Sequence, residues 1–93
     1  MPCIQVKTNV STSREKADAI KAALGQAIGF LPGKSEDWLM VAIEDGCHMY
    51  FGGRGGRPIA MVEVKILGSS IDKDGAKRMT GEITRVLGGV LGV

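Results

Sequence analysis

Two kinds of hydrophobic spacing take turns along this chain. From Cys3 to Asn9 the period is two, with Ile4, Val6 and Thr8 on one side and Gln5, Lys7 and Asn9 on the other. That alternation predicts a strand with one buried face. Ser11 to Ser13 punctuate the chain and offer N-caps, after which the spacing becomes helical. Ala17, Ile20, Leu24, Ala27, Ile28 and Leu31 form one apolar stripe on a helix of about 18 residues, and Pro32-Gly33 stops it. The unbroken run from Trp38 to Ile43 predicts a strand covered on both faces. Glu44-Asp45-Gly46 turns the chain, His48 to Phe51 reads as a short strand, and Gly52 to Arg57 reads as a glycine-rich connection. Pro58 opens a further strand, in which Val62, Val64 and Ile66 alternate with Glu63, Lys65 and Leu67. Gly68 to Ser70 breaks that strand, and Asp72 or Asp74 caps a second helix.

The stripe of the second helix is Ala76, Met79, Ile83, Val86, Leu87 and Val90, each displaced by 59 residues from its counterpart in the first. Any two amphipathic helices share a period, so matched spacing is weaker evidence than matched residues. The flanking strands nevertheless follow the offset to within one residue, and two copies of a strand–helix unit are the expectation. The same offset sets Gly92 opposite Gly33 and Val93 opposite Lys34, so the run from Trp38 has no counterpart. Either the molecule does without that strand, or the chain is a shortened version of a longer design. The expected fold is α+β: a β-α-β-β-α sandwich of two pseudo-repeated β-α-β units. Both helices lie on one face of a mixed sheet, and the second unit lacks its closing strand. The other sheet face is left uncovered, and an apolar face of that kind is expected to find a partner subunit.

Composition narrows the chemistry. Ninety-three residues at 44% hydrophobic are enough for one domain over 1–93 and no more. No apolar run is long enough to cross a bilayer, and the opening Met-Pro-Cys-Ile-Gln-Val-Lys is not a signal peptide. The expectation is a cytoplasmic protein with no membrane partner. A net charge of +2 is too small to argue for nucleic acid. Cys3 and Cys47 stand in no metal-ligand spacing, His48 is the one histidine, and there is no Gly-x-Gly-x-x-Gly. Metal, dinucleotide and Ser-His-Asp chemistry therefore lack their residues, and no cofactor is expected.

Few residues remain that could carry chemistry. Removal of Met1 would leave Pro2 as a secondary amine at the N-terminus. An α-amino group titrates near ~8, and apolar surroundings or a nearby cation would lower that into the range of a general base at neutral pH. The plainer reading is that Pro2 only governs processing. Lys34, after Pro32-Gly33, can complement the helix dipole or hold a carboxylate. Trp38 reads as core sooner than as a substrate wall. His48 reads as a surface residue, and nothing marks Cys3 as an activated thiol. The Gly52 to Arg57 loop can suggest a phosphate cradle, but such loops lead into helices and this one leads into a strand. Its two arginines are a weak signal for RNA.

The start MPCIQVKTNV, the Pro32-Gly33-Lys34 turn, the segment WLMVAIEDG, the MYFGG of Met49 to Gly53, and the VEVKILG of Val62 to Gly68 form an ordered set. In that order and spacing the chain resembles the macrophage migration inhibitory factor and D-dopachrome tautomerase family of the tautomerase superfamily. The resemblance covers nearly all 93 residues, and its specific parts are the Pro2 start and the Gly-Lys turn. It implies two β-α-β units assembled as a homotrimer with active sites between subunits. It also implies a cofactor-free keto–enol tautomerase acting on phenylpyruvate, hydroxyphenylpyruvate or dopachrome esters. In that reading Pro2 is the acid/base and Lys34 binds the carboxylate of a small aromatic 2-oxo acid. Leu67 takes the aliphatic position whose backbone N–H faces substrate, Trp38 stands where the family often has Tyr, and Lys65 lies two residues before Leu67 on the same strand face.

Departures from the family pattern matter too. The family's Cys-x-x-Cys segment is replaced by Ile59-Ala60-Met61-Val62, so no thiol-oxidoreductase activity is expected. Family members also continue past the point matching Val93, into a strand and tail that line a neighbouring subunit's site. Without them the pocket would be more open and Pro2 more solvated, which weakens catalysis. Two other readings stand beside the enzyme. One is a cytokine-like protein that acts through its surface on a receptor, secreted by a non-classical route. The other is a small module gripping an anion or RNA through Arg54 and Arg57.

Overall fold

The computed structural model describes residues 2–66 and 72–93. Strand β1 runs from Cys3 to Thr8 and is followed by helix α1, Arg14–Ala27. Ser13 caps α1, its side chain accepting from the Lys16 N–H at 3.2 Å. The last turn, Ile28–Phe30, tightens to a 3-10 helix. The cause lies in Pro32: a residue before proline is pushed out of the helical region, and Leu31 is extended at φ −94°, ψ 127°. A second 3-10 turn, Glu36–Trp38, leads into β2, Met40–Glu44, and β3 covers Ala60–Lys65. Helix α2, Lys73–Leu91, is capped by Asp72 rather than Asp74, with the Asp72 carboxylate accepting from Gly75 N–H at 2.9 Å.

The sheet has the order β2-β1-β3, with β2 parallel and β3 antiparallel to β1. It is therefore mixed, as expected for the α+β fold, and among the described residues no strand follows α2. One face carries Val41–Ile4–Val64 and Ile43–Val6–Val62 in rows across the three strands. That face meets Ile20, Leu24 and Ile28 from the first helical segment and Met79, Ile83 and Leu87 from α2. Of the predicted stripes, Ile20, Leu24, Ala27, Ile28, Leu31, Met79, Ile83 and Leu87 are buried in the core, Ala17, Ala76, Val86 and Val90 are only half-buried, and Leu91 is an addition that the stripe missed.

The internal repeat is present in the strands with a one-residue shift. Ile4 and Val6 correspond to Val62 and Val64, an offset of 58 against the 59 of the helices. Under that correspondence the antiparallel pairs Ile4–Val64 and Val6–Val62 simply exchange, as a local twofold axis between β1 and β3 requires.

Three expectations need correction. The segment from His48 to Phe51 is not a strand: only Phe51 forms a bridge, with Arg54. Gly52 and Gly53, both at positive φ, fold that piece back on itself and leave residues 48–50 without a partner strand. The run from Trp38 enters the sheet only at Met40, and β2 is an edge strand whose Met40, Ala42 and Glu44 face outward, so it is not covered on both faces. The helix-free sheet face is also less apolar than expected. Its rows are Met40–Cys3–Lys65, Ala42–Gln5–Glu63 and Glu44–Lys7–Met61, a mixture of charge and methionine.

Candidate functional site

Sheet topology brings three chain segments to one end of the molecule. β1 begins there with Cys3, which pairs with Met40 at the start of parallel β2 and with Lys65 at the finish of antiparallel β3. The α1–β2 connection, holding Lys34 and Trp38, must reach the same end to feed a parallel strand. The two helices meet there as well, since a Cβ on Gly75 in the first turn of α2 would come within 2.5 Å of the Phe30 carbonyl oxygen.

Pro2 sits at the head of the central strand and is buried. Its carbonyl accepts from the Met40 N–H at 3.0 Å, which extends the β1–β2 ladder by one bond and fixes the residue at the sheet end. The ring nitrogen is an amide while Met1 precedes it and a secondary amine once Met1 is removed.

Around Pro2 the expected site residues differ in standing. Lys34 is half-buried in the connection after α1, and its N–H donates to the Leu31 carbonyl at 3.2 Å, closing a turn at Gly33. Trp38 is 67% exposed, which overturns the reading of it as core. A 3-10 turn carries it past the sheet edge before the strand begins. Lys65 points to the helix-free face and pairs with Glu63, Nζ to Oε1 at 3.0 Å. The hydrogen bond and the charge of Glu63 raise the Lys65 pKa above its ordinary value. Leu67 lies outside the described residues. The structure thus brings Pro2, Trp38 and Lys65 to one end of the sheet.

Two neighbours were not singled out by sequence. Glu63 engages Lys65, and alternation on one strand face already placed the two side by side. Glu36 reaches Lys21 at 3.4 Å and tethers the turn that carries Trp38 to α1. No local signal marks that second pair, because its members are 15 positions apart. Cys3, next to Pro2, stands at this same end of the sheet and is unpaired. The remaining chemistry-bearing groups lie elsewhere: Cys47 is unpaired, and His48, Arg54 and Arg57 sit in the exposed β2–β3 connection.

The chain matches the family model described as macrophage migration inhibitory factor over residues 1–93. Among solved structures it is similar to MIF2 from Leishmania major, at 30% identity and a TM-score of 0.89, over 100% of this chain and 78% of that one. It is also similar to the macrophage migration inhibitory factor of Giardia lamblia, at 24% identity and a TM-score of 0.78, over 99% of this chain and 87% of that one. A protein solved after inactivation by 2-oxo-3-pentynoate shares the fold at 15% identity and a TM-score of 0.77, over 98% of this chain and 75% of that one. No curated protein sequence matches the chain.

Proposed function

This chain belongs to the macrophage migration inhibitory factor family, and on that premise we propose that it is a cofactor-free keto–enol tautomerase acting on a small aromatic 2-oxo acid. The observation that carries the reading is the burial of Pro2 at the head of β1, held by the Met40 N–H. Once Met1 is removed, the ring nitrogen is a secondary amine in a partly desolvated position, where its protonated form is disfavoured. Such an amine takes a proton from the carbon beside the substrate carbonyl. The C–H electron pair becomes the C=C bond, the carbonyl π pair moves onto oxygen, and the proton held by nitrogen passes to that oxygen. Lys34 pairs with the substrate carboxylate, and Trp38 offers an aromatic wall. Lys65 completes the site from the end of β3, and Leu67 is assigned to it by the family resemblance alone. In this reading the site lies between subunits of a homotrimer, to which the exposed Met40 and Met61 contribute apolar surface.

The test is phenylpyruvate tautomerisation followed by absorbance, with intact mass reporting Met1 removal and native mass reporting subunit number. Pro2→Ala is expected to slow the reaction roughly 100-fold or more, the scale of general acid–base catalysis. Lys34→Ala is expected to raise KM. A second probe is 2-oxo-3-pentynoate, whose conjugated alkyne accepts a neutral amine. One equivalent should add to the N-terminal peptide of the wild type, with no atom lost from the inhibitor. Equal rates in wild type, Pro2→Ala and Lys34→Ala would end the proposal.

A receptor-binding role is the second reading, favoured by the exposed Tyr50 and Phe51 in the β2–β3 connection. Saturable receptor binding by the Pro2→Ala protein, lost in a Tyr50→Ala/Phe51→Ala variant, would support it independently of catalysis.

A further inference from the structure

We propose that Glu36 is a positioning residue: seated on Gly25 and held by Lys21, it fixes the turn that carries Trp38 and so sets the preference of the site for an aromatic over an aliphatic 2-oxo acid. The selectivity rests on the tautomerase reading, whereas the placement of Trp38 does not. Little else holds that turn. None of its residues, Glu36–Trp38, is buried, and Ser35 at its head makes no side-chain capping bond. Its backbone bonds are internal, from the Trp38 N–H to the Ser35 carbonyl at 3.4 Å and from the Leu39 N–H to the Glu36 carbonyl at 3.0 Å. Backbone ties to other segments lie on either side, where the Lys34 N–H reaches Leu31 and the Met40 N–H reaches Pro2. Between those ties, among the described residues, the one polar side-chain link to another element is the Glu36–Lys21 pair at 3.4 Å.

Gly25 provides the seat. It is buried in α1, and a Cβ built on it would overlap the Glu36 carboxyl and crowd its Cγ at 3.0 Å. Glycine inside a helix is unfavourable relative to alanine, and here the missing side chain is what lets Glu36 lie against the helix. Lys21 stands one turn earlier on the same helix face and reaches the carboxylate from there. Lys21 and Glu36, with Leu39 and Val41, line a cleft of about 350 Å³ between α1 and β2, so the pair bridges a gap that packing leaves open. One exposed ion pair is weak by itself. The seat on Gly25 adds the shape that the pair alone lacks. Trp38, the only tryptophan, follows two residues later and is 67% exposed at the Pro2 end. Such an indole walls a substrate ring well only if its turn keeps one position, because ordering a mobile group on binding weakens affinity. An aliphatic 2-oxo acid has no ring for it to meet.

The experiment compares wild type, Gly25→Ala, Glu36→Ala and the double variant, with circular dichroism checking that each folds. Gly25→Ala displaces the Glu36 carboxylate without removing its charge. Time-resolved fluorescence anisotropy of Trp38 needs no turnover, and the amplitude of its fast, local component should rise about twofold or more in each variant. KM is measured for phenylpyruvate by absorbance and for 2-oxobutanoate by deuterium exchange at its C3. The ratio of the two cancels charge effects common to both anions. Each single variant should raise KM for phenylpyruvate about three- to tenfold relative to 2-oxobutanoate, the worth of one aromatic contact. Gly25→Ala should add nothing in the Glu36→Ala background, because it acts only through that side chain. The proposal is overturned if the single variants keep the wild-type anisotropy decay, if active variants keep the wild-type KM ratio, or if the two effects add. A wild type that turns over neither substrate would end the tautomerase reading and the selectivity with it, while the anisotropy would still decide whether Glu36 holds the turn.

Discussion

Gly33 and Gly92 hold the same left-handed conformation, φ 73° and 74°, at the 59-residue offset that relates the two helical stripes. Gly92 caps α2, whereas Gly33 sits in the turn closed by the Lys34 N–H and the Leu31 carbonyl, just past the end of the first helical segment; a side chain in this region meets the following carbonyl. Neither position has an atom within 4 Å of a built Cβ, so the cost of Gly→Ala is conformational alone. Gly33→Ala should lose about 1 kcal/mol. Gly92→Ala should lose a similar amount, since Gly92 caps α2 in the same left-handed conformation. Urea denaturation of the two variants checks both values.

Gly75 is a different case. It is not in the left-handed region, but a Cβ there would stand 2.5 Å from the Phe30 carbonyl oxygen, and backbone cannot step aside as a side-chain tip can. Gly75→Ala should destabilise by about 1–3 kcal/mol through overpacking where the two helices meet. Gly25 makes the control. Its Cβ would meet only the flexible end of Glu36, so Gly25→Ala should be neutral or stabilising while releasing the exposed Lys21–Glu36 pair. Opposite signs in thermal denaturation are the expected result.

Thr8 is fully buried, and its hydroxyl donates to the Ile59 carbonyl at 2.7 Å while accepting from the Val10 N–H at 3.1 Å. The strand alternation placed Thr8 beside Ile4 and Val6, which makes Thr8→Val look harmless. The structure says otherwise, since valine would leave the Val10 N–H without its acceptor and the Ile59 carbonyl with only the Asn9 N–H, at 3.3 Å. A loss of about 1–3 kcal/mol is expected, measured by chemical denaturation.

Asp45 ties the end of β2 to the entry of α1, its Oδ2 accepting from the Thr12 N–H at 2.7 Å and the Thr12 hydroxyl at 3.1 Å. The Thr12 backbone bond, followed by the hydroxyl bond, lowers the Asp45 pKa below its ordinary 3.8. A depressed folded pKa adds stability that is present above the unfolded value and lost as pH falls through the folded one. Wild type should therefore be more stable than Asp45→Ala at pH 7, with the gap narrowing below about pH 4. Denaturation midpoints of both proteins across pH 7 to 2.5 test the slope.

These positions show where sequence sufficed. The helices, β1, β3 and the core stripes were legible because each pattern is local and each buried face repeats at the period of its element. The repeat was legible too, since an offset needs no knowledge of partners. His48 to Phe51 failed for the converse reason: a strand exists only if another accepts it, and Gly52-Gly53 turned the segment onto itself. Trp38 misled because an apolar residue next to a strand was counted into it, whereas Ser35 and the 3-10 turn after it put the indole outside the sheet. Of the candidate site, Pro2 and Lys34 stood out by motif. The Met40 N–H that holds Pro2 came from register, which no single strand specifies, whereas Glu63 beside Lys65 follows from alternation within β3.

The Glu63–Lys65 pair gives the last expectation, and it bears on the proposed reaction. If Lys65 helps to attract an anionic 2-oxo acid, Glu63 competes with the substrate for the same ammonium. Their bond keeps Lys65 charged across the working pH range but occupies one of its donors. Glu63→Gln removes the competing charge and keeps the side chain's shape. It should lower KM for phenylpyruvate about two- to fivefold at low ionic strength while leaving kcat near its wild-type value, the range expected for one exposed charge pair. Added salt should erase the difference by screening both arrangements. Lys65→Gln should shift KM the opposite way. Equal KM in all three proteins at low salt would remove Lys65 from the site and leave the carboxylate to Lys34 alone.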